Sequence, residues 1–122
     1  MSIPQSGGGP IEHHDQLAQY LADGCKPAAD WRIGTEHEKF GYDKKTLMPL
    51  PYDGPCGIKA MLDGLRDGFG WDPVEEDGNI IGLVKDGANV SLEPGGQLEL
   101  SGAPLETIHE TCDEVNVHLK EV

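Results

Sequence analysis

Arg32-Ile33-Gly34-Thr35-Glu36-His37-Glu38-Lys39-Phe40-Gly41-Tyr42 decides how this chain folds. The stretch has no helix caps, is rich in β-formers and alternates, which predicts one long strand over residues 31–42. Side chains on a strand alternate between faces, so Glu36 and Glu38 point the same way, about 7 Å apart along the chain. Arg32, Phe40 and Tyr42 share their face, while Trp31, Ile33, Thr35 and His37 take the other. Two carboxylates on one face with no base between them repel each other, and a strand tolerates that when solvent or a cation separates them. His37, the one histidine on the back face, reads as a packed or hydrogen-bonded residue and not as a base.

A second stretch complements the first: Ser91-Leu92-Glu93-Pro94-Gly95-Gly96-Gln97-Leu98-Glu99-Leu100-Ser101. Pro94-Gly95-Gly96 turns the chain into a strand over residues 97–101, with Gln97, Glu99 and Ser101 on one face and Leu98 and Leu100 on the other. Glu93 sits just before the turn, with Ser91 on its face. If this hairpin pairs beside the first strand, Glu36, Glu38, Glu93 and Glu99 converge on one polar sheet face. Hard divalent cations such as Mg²⁺ take that set of oxygens, with water and phosphates completing the shell. A half-exposed antiparallel sheet alternates polar and apolar residues without any metal, so spacing alone leaves both readings open.

Around these strands the remaining pattern predicts an α+β chain. Residues 1–9, with Gly7-Gly8-Gly9, read as a flexible lead-in, and residues 10–122 as one domain. A short amphipathic helix is expected over residues 10–22, with Ile11, Leu17, Tyr20 and Leu21 on its apolar side and Gly24 as its stop. Residues 47–50 return as a brief strand. A helix then opens at Gly54-Pro55, carries Ile58, Met61, Leu62, Leu65 and Phe69 at helical steps, and ends at Gly68 or Gly70. Strands follow over residues 80–85 and 89–93 around Asp86-Gly87. Residues 104–122 form the last helix, with Leu105, Ile108, Cys112, Val115, Leu119 and Val122 as its packing stripe. That stripe runs to the final residue without a stop signal, as in a chain truncated at its C-terminus.

Composition narrows the function. The chain has 122 residues and a formal charge of −13, with net −2 in residues 1–61 and −11 in residues 62–122. Such a surface repels phosphate backbones and attracts cations, so no nucleic-acid partner is expected. No run approaches the ~18 apolar residues of a membrane helix and no basic-apolar leader opens the chain, so the expectation is a cytoplasmic protein without a membrane partner. Cys25, Cys56 and Cys112 are odd in number and never form a Cys-x-x-Cys pair, which argues against a disulfide framework or a zinc–thiolate site. Cys112 reads as buried packing on the last helix, and His13 and His14 as solvent-exposed. The glycines suit turns better than phosphate cradles, and no Ser-His-Asp set is present.

The two quoted stretches, extended through residue 115 as SLEPGGQLELSGAPLETIHETCDEV, closely resemble glutamate–cysteine ligases of the plant and proteobacterial type. The likeness covers about residues 30–118. It implies part of a glutamine-synthetase-like antiparallel sheet with flanking helices, forming the amino-terminal part of a single ligase catalytic domain. It also implies an enzyme that joins the γ-carboxyl of L-glutamate to the amine of L-cysteine, with ATP and Mg²⁺, through a γ-glutamyl phosphate. Carried over by position, Glu36, Glu38 and Glu99 match metal carboxylates, Glu93 is a further candidate, and Gln97 and Arg32 are substrate-binding positions. No catalytic residue is assigned. The chain by itself is expected to be inactive, because members of the family are several times longer. Two alternatives stand beside this reading: a related ligase with another amine acceptor, and a non-catalytic acidic module that binds divalent cations.

Overall fold

Two Asp-Gly pairs build the sheet. Asp77-Gly78 and Asp86-Gly87 each put consecutive residues at positive φ, 50° and 78° in the first and 50° and 87° in the second. That is the type I′ geometry whose twist suits antiparallel hairpins. The computed structural model describes residues 8–122. In it the two turns join β2 (Asp72–Glu76), β3 (Asn79–Lys85) and β4 (Ala88–Glu93), and the Pro94-Gly95-Gly96 turn leads into β5 (Gln97–Ser101). β1 (Glu36–Lys39) adds to the far side of β5, so the antiparallel sheet runs β1-β5-β4-β3-β2.

This is the expected α+β arrangement, with several boundaries corrected. The long strand over residues 31–42 contracts to four residues. The pairing stops at Lys39 and Leu98, where only Gln97 of β5 remains before the turn. At the other end the ladder breaks because Pro104 has no N–H to give, and only an isolated Ile33–Leu105 bridge continues the pairing. Residues 47–50 contribute a single Tyr42–Pro49 bridge and no strand. β2 is a strand the sequence pattern missed: its acids and Pro73 argue against one, yet it lies at the sheet edge, where a proline is tolerated.

The apolar face of the sheet is covered by α2 (Ile58–Phe69), which packs on β3. The helix begins after Gly57, later than the proline suggested, and ends at Gly70 in the left-handed region. Its Ile58, Leu62 and Leu65 are buried in one cluster with Trp71, Leu83, Val90, Leu98 and Leu100. α1 (Asp15–Asp23) starts five residues later than expected and buries none of its side chains. The lead-in falls almost wholly outside the described residues.

α3 (Ile108–Glu121) is the largest correction. A capping box sets its start: the Thr107 hydroxyl accepts the Glu110 N–H at 3.3 Å, and Glu110 accepts the Thr107 N–H at 2.8 Å. Of the expected packing stripe, Leu105 and Val115 pack against the core, but Ile108 (64% exposed), Leu119 (50% exposed) and Cys112 face outward. The buried residues are polar, Thr111 and His118. Polar anchoring explains the rotation. The Trp71 indole donates to Glu121 at 3.0 Å, Glu114 accepts the Ala103 N–H at 2.8 Å, and His118 Nε2 lies 2.6 Å from Lys39 Nζ.

Candidate metal centre

The strand register brings the predicted carboxylates onto one face. Glu38 stands opposite Glu99 and Glu36 opposite Ser101 across β1 and β5. Ser91 stands opposite Glu99, Asn89 opposite Ser101, and Glu93 opposite Gln97 across β4 and β5. Directly opposed residues share a face about 4.5–5.5 Å apart. The result is a patch of oxygens with Glu99 at its centre, only 2% exposed. Glu36 and Glu38 lie exposed at its rim, and Glu93 is half-buried near the turn.

Neighbouring side chains hold the carboxylates. The Ser101 hydroxyl donates to Glu99 Oε1 at 2.5 Å, and the Gln97 amide donates to Glu38 Oε2. Ser91 Oγ and Asn89 Oδ1 are buried on the same face without a protein partner. Buried oxygens of that kind are ordinarily satisfied by water or an ion. Sequence reasoning placed Ser91 on this face but gave neither residue a role, and the signal available was their polar character at every second position of β4.

Arg32 does not join the patch. It lies outside β1, with Nη2 3.1 Å from Glu106 and Nη1 donating to the Trp31 carbonyl at 2.8 Å. The four predicted glutamates also do not yet converge as ligands. Among the described residues, the one group with three ligand atoms within 4.8 Å of one another is His13, His14 and Asp15. The rim carboxylates would have to turn inward to share one ion with Glu99.

Behind the patch, on the opposite face of β1, lies a polar seam that the sequence pattern did not reveal. His37 and His118 meet edge to face with ring centroids 6.3 Å apart. His118 is 2% exposed. Burial, then the charge of Lys39 and finally His37, lowers its pKa from 6.5 to about 4. Burial likewise lowers the pKa of Lys39. His118 is therefore neutral near pH 7, and its Nε2 lone pair faces the lysine. The half-buried His37 agrees with its reading as a packed residue.

The sequence model of Glutamate-cysteine ligase family 2 (GCS2) matches residues 32–122. Glutamate–cysteine ligase A, chloroplastic, of Oryza sativa subsp. japonica is 56% identical over 108 residues, covering 88% of this chain and 21% of the relative. The chloroplastic glutamate–cysteine ligase of Medicago truncatula is 54% identical over 113 residues, 93% of this chain and 22% of the relative. That of Arabidopsis thaliana is 53% identical over 113 residues, 93% of this chain and 21% of the relative. The chain thus spans about a fifth of the length of the curated relatives it matches. Their chloroplastic designation overturns the cytoplasmic expectation.

Proposed function

The chain belongs to glutamate–cysteine ligase family 2, and from that premise we propose that its sheet carries the divalent-cation face of an enzyme joining the γ-carboxyl of L-glutamate to the amine of L-cysteine at the expense of ATP. The observation that carries this reading is the pairing of Glu38 with Glu99, flanked by Glu36 and Ser91 on one face of three adjacent strands. Joining a carboxylate to an amine through an acyl phosphate gathers several negative charges in one place. A face of hard oxygens suits that chemistry only together with cations.

Magnesium fits the donor set. All the donors are oxygens, and Ser91 Oγ and Asn89 Oδ1 lack a protein partner. Glu36, Glu38 and Glu99, with Glu93 toward the turn, would hold the ion, which supplies neutralisation of phosphate charge and polarisation of the transferred phosphoryl group. The chain's own residues keep this face oriented. Ser101 fixes Glu99, and Gln97 fixes Glu38 while lining the rim where substrate would approach. The γ-glutamyl phosphate must be kept from water until the cysteine amine attacks it.

The test puts residues 32–122 in place of the matching stretch of the Arabidopsis thaliana ligase, to which this chain is 53% identical over 113 residues. A folded chimera should form γ-glutamylcysteine from glutamate, cysteine and ATP. Glu99→Gln within it should lower kcat by about a hundredfold or more, the loss of several kcal/mol of charge stabilisation. A folded but inactive chimera, or full activity with Gln at that position, would overturn the proposal.

A further inference from the structure

We propose that His13, His14 and Asp15 form a binding site for a divalent transition ion of the zinc type, apart from the carboxylate face and ahead of the stretch matched by the family. The three side chains bring one ligand atom each within 4.8 Å of the others. Asp15 reaches both rings: Oδ2 lies 3.2 Å from His13 Nδ1 and Oδ1 lies 2.8 Å from His14 Nε2. Two ligands bound tetrahedrally at zinc's ~2.0–2.1 Å stand about 3.3 Å apart, and two bound at right angles about 3.0 Å. The observed spacings therefore match a coordination edge, and rotation about exposed side-chain bonds closes the rest.

The local backbone holds the group in place. Gln16 Oε1 accepts the N–H of Glu12 at 2.7 Å and of His13 at 2.9 Å. The carbonyls of His13 and His14 accept the N–H groups of Gln16 and Leu17, both at 3.1 Å, tying the donors to the first turn of α1. His13 Nδ1 also faces two demands. It lies 3.4 Å from the Asp15 N–H, which asks for a lone pair, and beside the Asp15 carboxylate, which asks for a positive centre between the two atoms. A metal ion on Nδ1 would take that lone pair and the carboxylate oxygen together, leaving the exposed Asp15 N–H to water. The helix dipole opposes a cation here, and the charge of Asp15 in the first turn offsets it.

Two imidazoles and one carboxylate favour zinc, nickel or copper over magnesium, which prefers an all-oxygen shell. All three residues are exposed, so water can complete the coordination. Cys25, Cys56 and Cys112 are exposed thiols that also take zinc, so the readout must be at the rings.

The test titrates the full 122-residue chain with Zn²⁺ in excess Mg²⁺, following imidazole proton resonances by NMR and the stoichiometry by calorimetry. The expected result is saturable movement of the His13 and His14 resonances with one Zn²⁺. Affinity at those rings should fall about tenfold or more in His13→Ala and in Asp15→Asn, since a direct ligand matters at least as much as its supporting partners. Glu99→Gln should leave it unchanged. Zinc that leaves the two rings unmoved, moves them equally in the Asp15→Asn chain, or is displaced by Mg²⁺ would overturn the proposal. These outcomes are independent of whether the carboxylate face supports ligase activity.

Discussion

His118 gives the stability of this chain a calculable pH dependence. Its pKa in the folded chain is lowered from 6.5 to about 4, chiefly by burial and then by Lys39. Between those values the unfolded state carries the proton and the folded state does not. Stability must therefore rise with pH across that window and fall as pH drops from about 6.5 toward about 4. At about 1.36 kcal/mol per pKa unit the upper limit is roughly 3 kcal/mol. A cavity of about 230 Å³, lined by Trp71, Leu100, Glu114 and His118 among others, opens beside the ring. Solvent screening through it brings the expected value to about 1–2 kcal/mol. The perturbation is His118→Gln, whose amide oxygen can still accept from Lys39 but cannot titrate. The assay is urea unfolding followed by far-ultraviolet circular dichroism at about pH 7 and about pH 4.5. The many carboxylates titrate alike in both proteins, so the difference between them isolates His118. The unmodified chain should lose about 1–2 kcal/mol more than the variant over this interval. Equal losses, or a larger loss in the variant, would refute the assignment of a buried neutral imidazole beside Lys39.

Three further outcomes follow from the geometry. Thr107→Ala removes the capping hydroxyl of α3 and should cost about 1 kcal/mol in urea unfolding; no change would mean that Ile108 does not start the helix. Leu62→Ala, at a side chain with no solvent exposure, should cost about 2–5 kcal/mol, and a loss under 1 kcal/mol would contradict the packing of α2 on the sheet. The isolated chain should bind Mg²⁺ weakly by calorimetry and form no γ-glutamylcysteine from glutamate, cysteine and ATP. Rapid product formation would show that these residues alone suffice to grip the anionic substrates.

The sheet was legible where local chemistry and alternation agreed. Asp86-Gly87 marked its hairpin, and the 97–101 strand appears with the predicted bounds because Gly95 and Gly96 fix the turn before it. The same Asp-Gly signal stands at Asp77-Gly78, but β2 carries Pro73 and acids where an alternating apolar pattern would mark a strand, and it was missed. Strand length was not legible at β1, because it depends on where β5 ends and where Pro104 interrupts the partner. Nor was the orientation of α3. Its apolar stripe has the right period, but helix rotation is settled by partners distant in sequence: Lys39 for His118, Trp71 for Glu121 and Ala103 for Glu114. The Thr107-x-x-Glu110 capping signature was present in the sequence and would have set the start of the helix correctly.

The face shared by Glu36, Glu38 and Glu99 was legible because strand pairing preserves the two-residue period on which the reading depends. What lies around it was not, and it matters for the chemistry. Of the basic residues in and beside β1, Arg32 is held by Glu106 and Lys39 lies on the opposite face against His118. Neither is free to neutralise a phosphate above Glu99. Within these residues a polyanionic substrate would meet carboxylates, serine hydroxyls and amides, which attract it only across an intervening cation. Under the proposed function, a divalent cation would fill that intervening place. For the same reason Ser91 Oγ and Asn89 Oδ1, neutral oxygens buried on the face of Glu99, would suit the proposed shell better than further acids: they would add donors without adding to the repulsion among Glu36, Glu38 and Glu99.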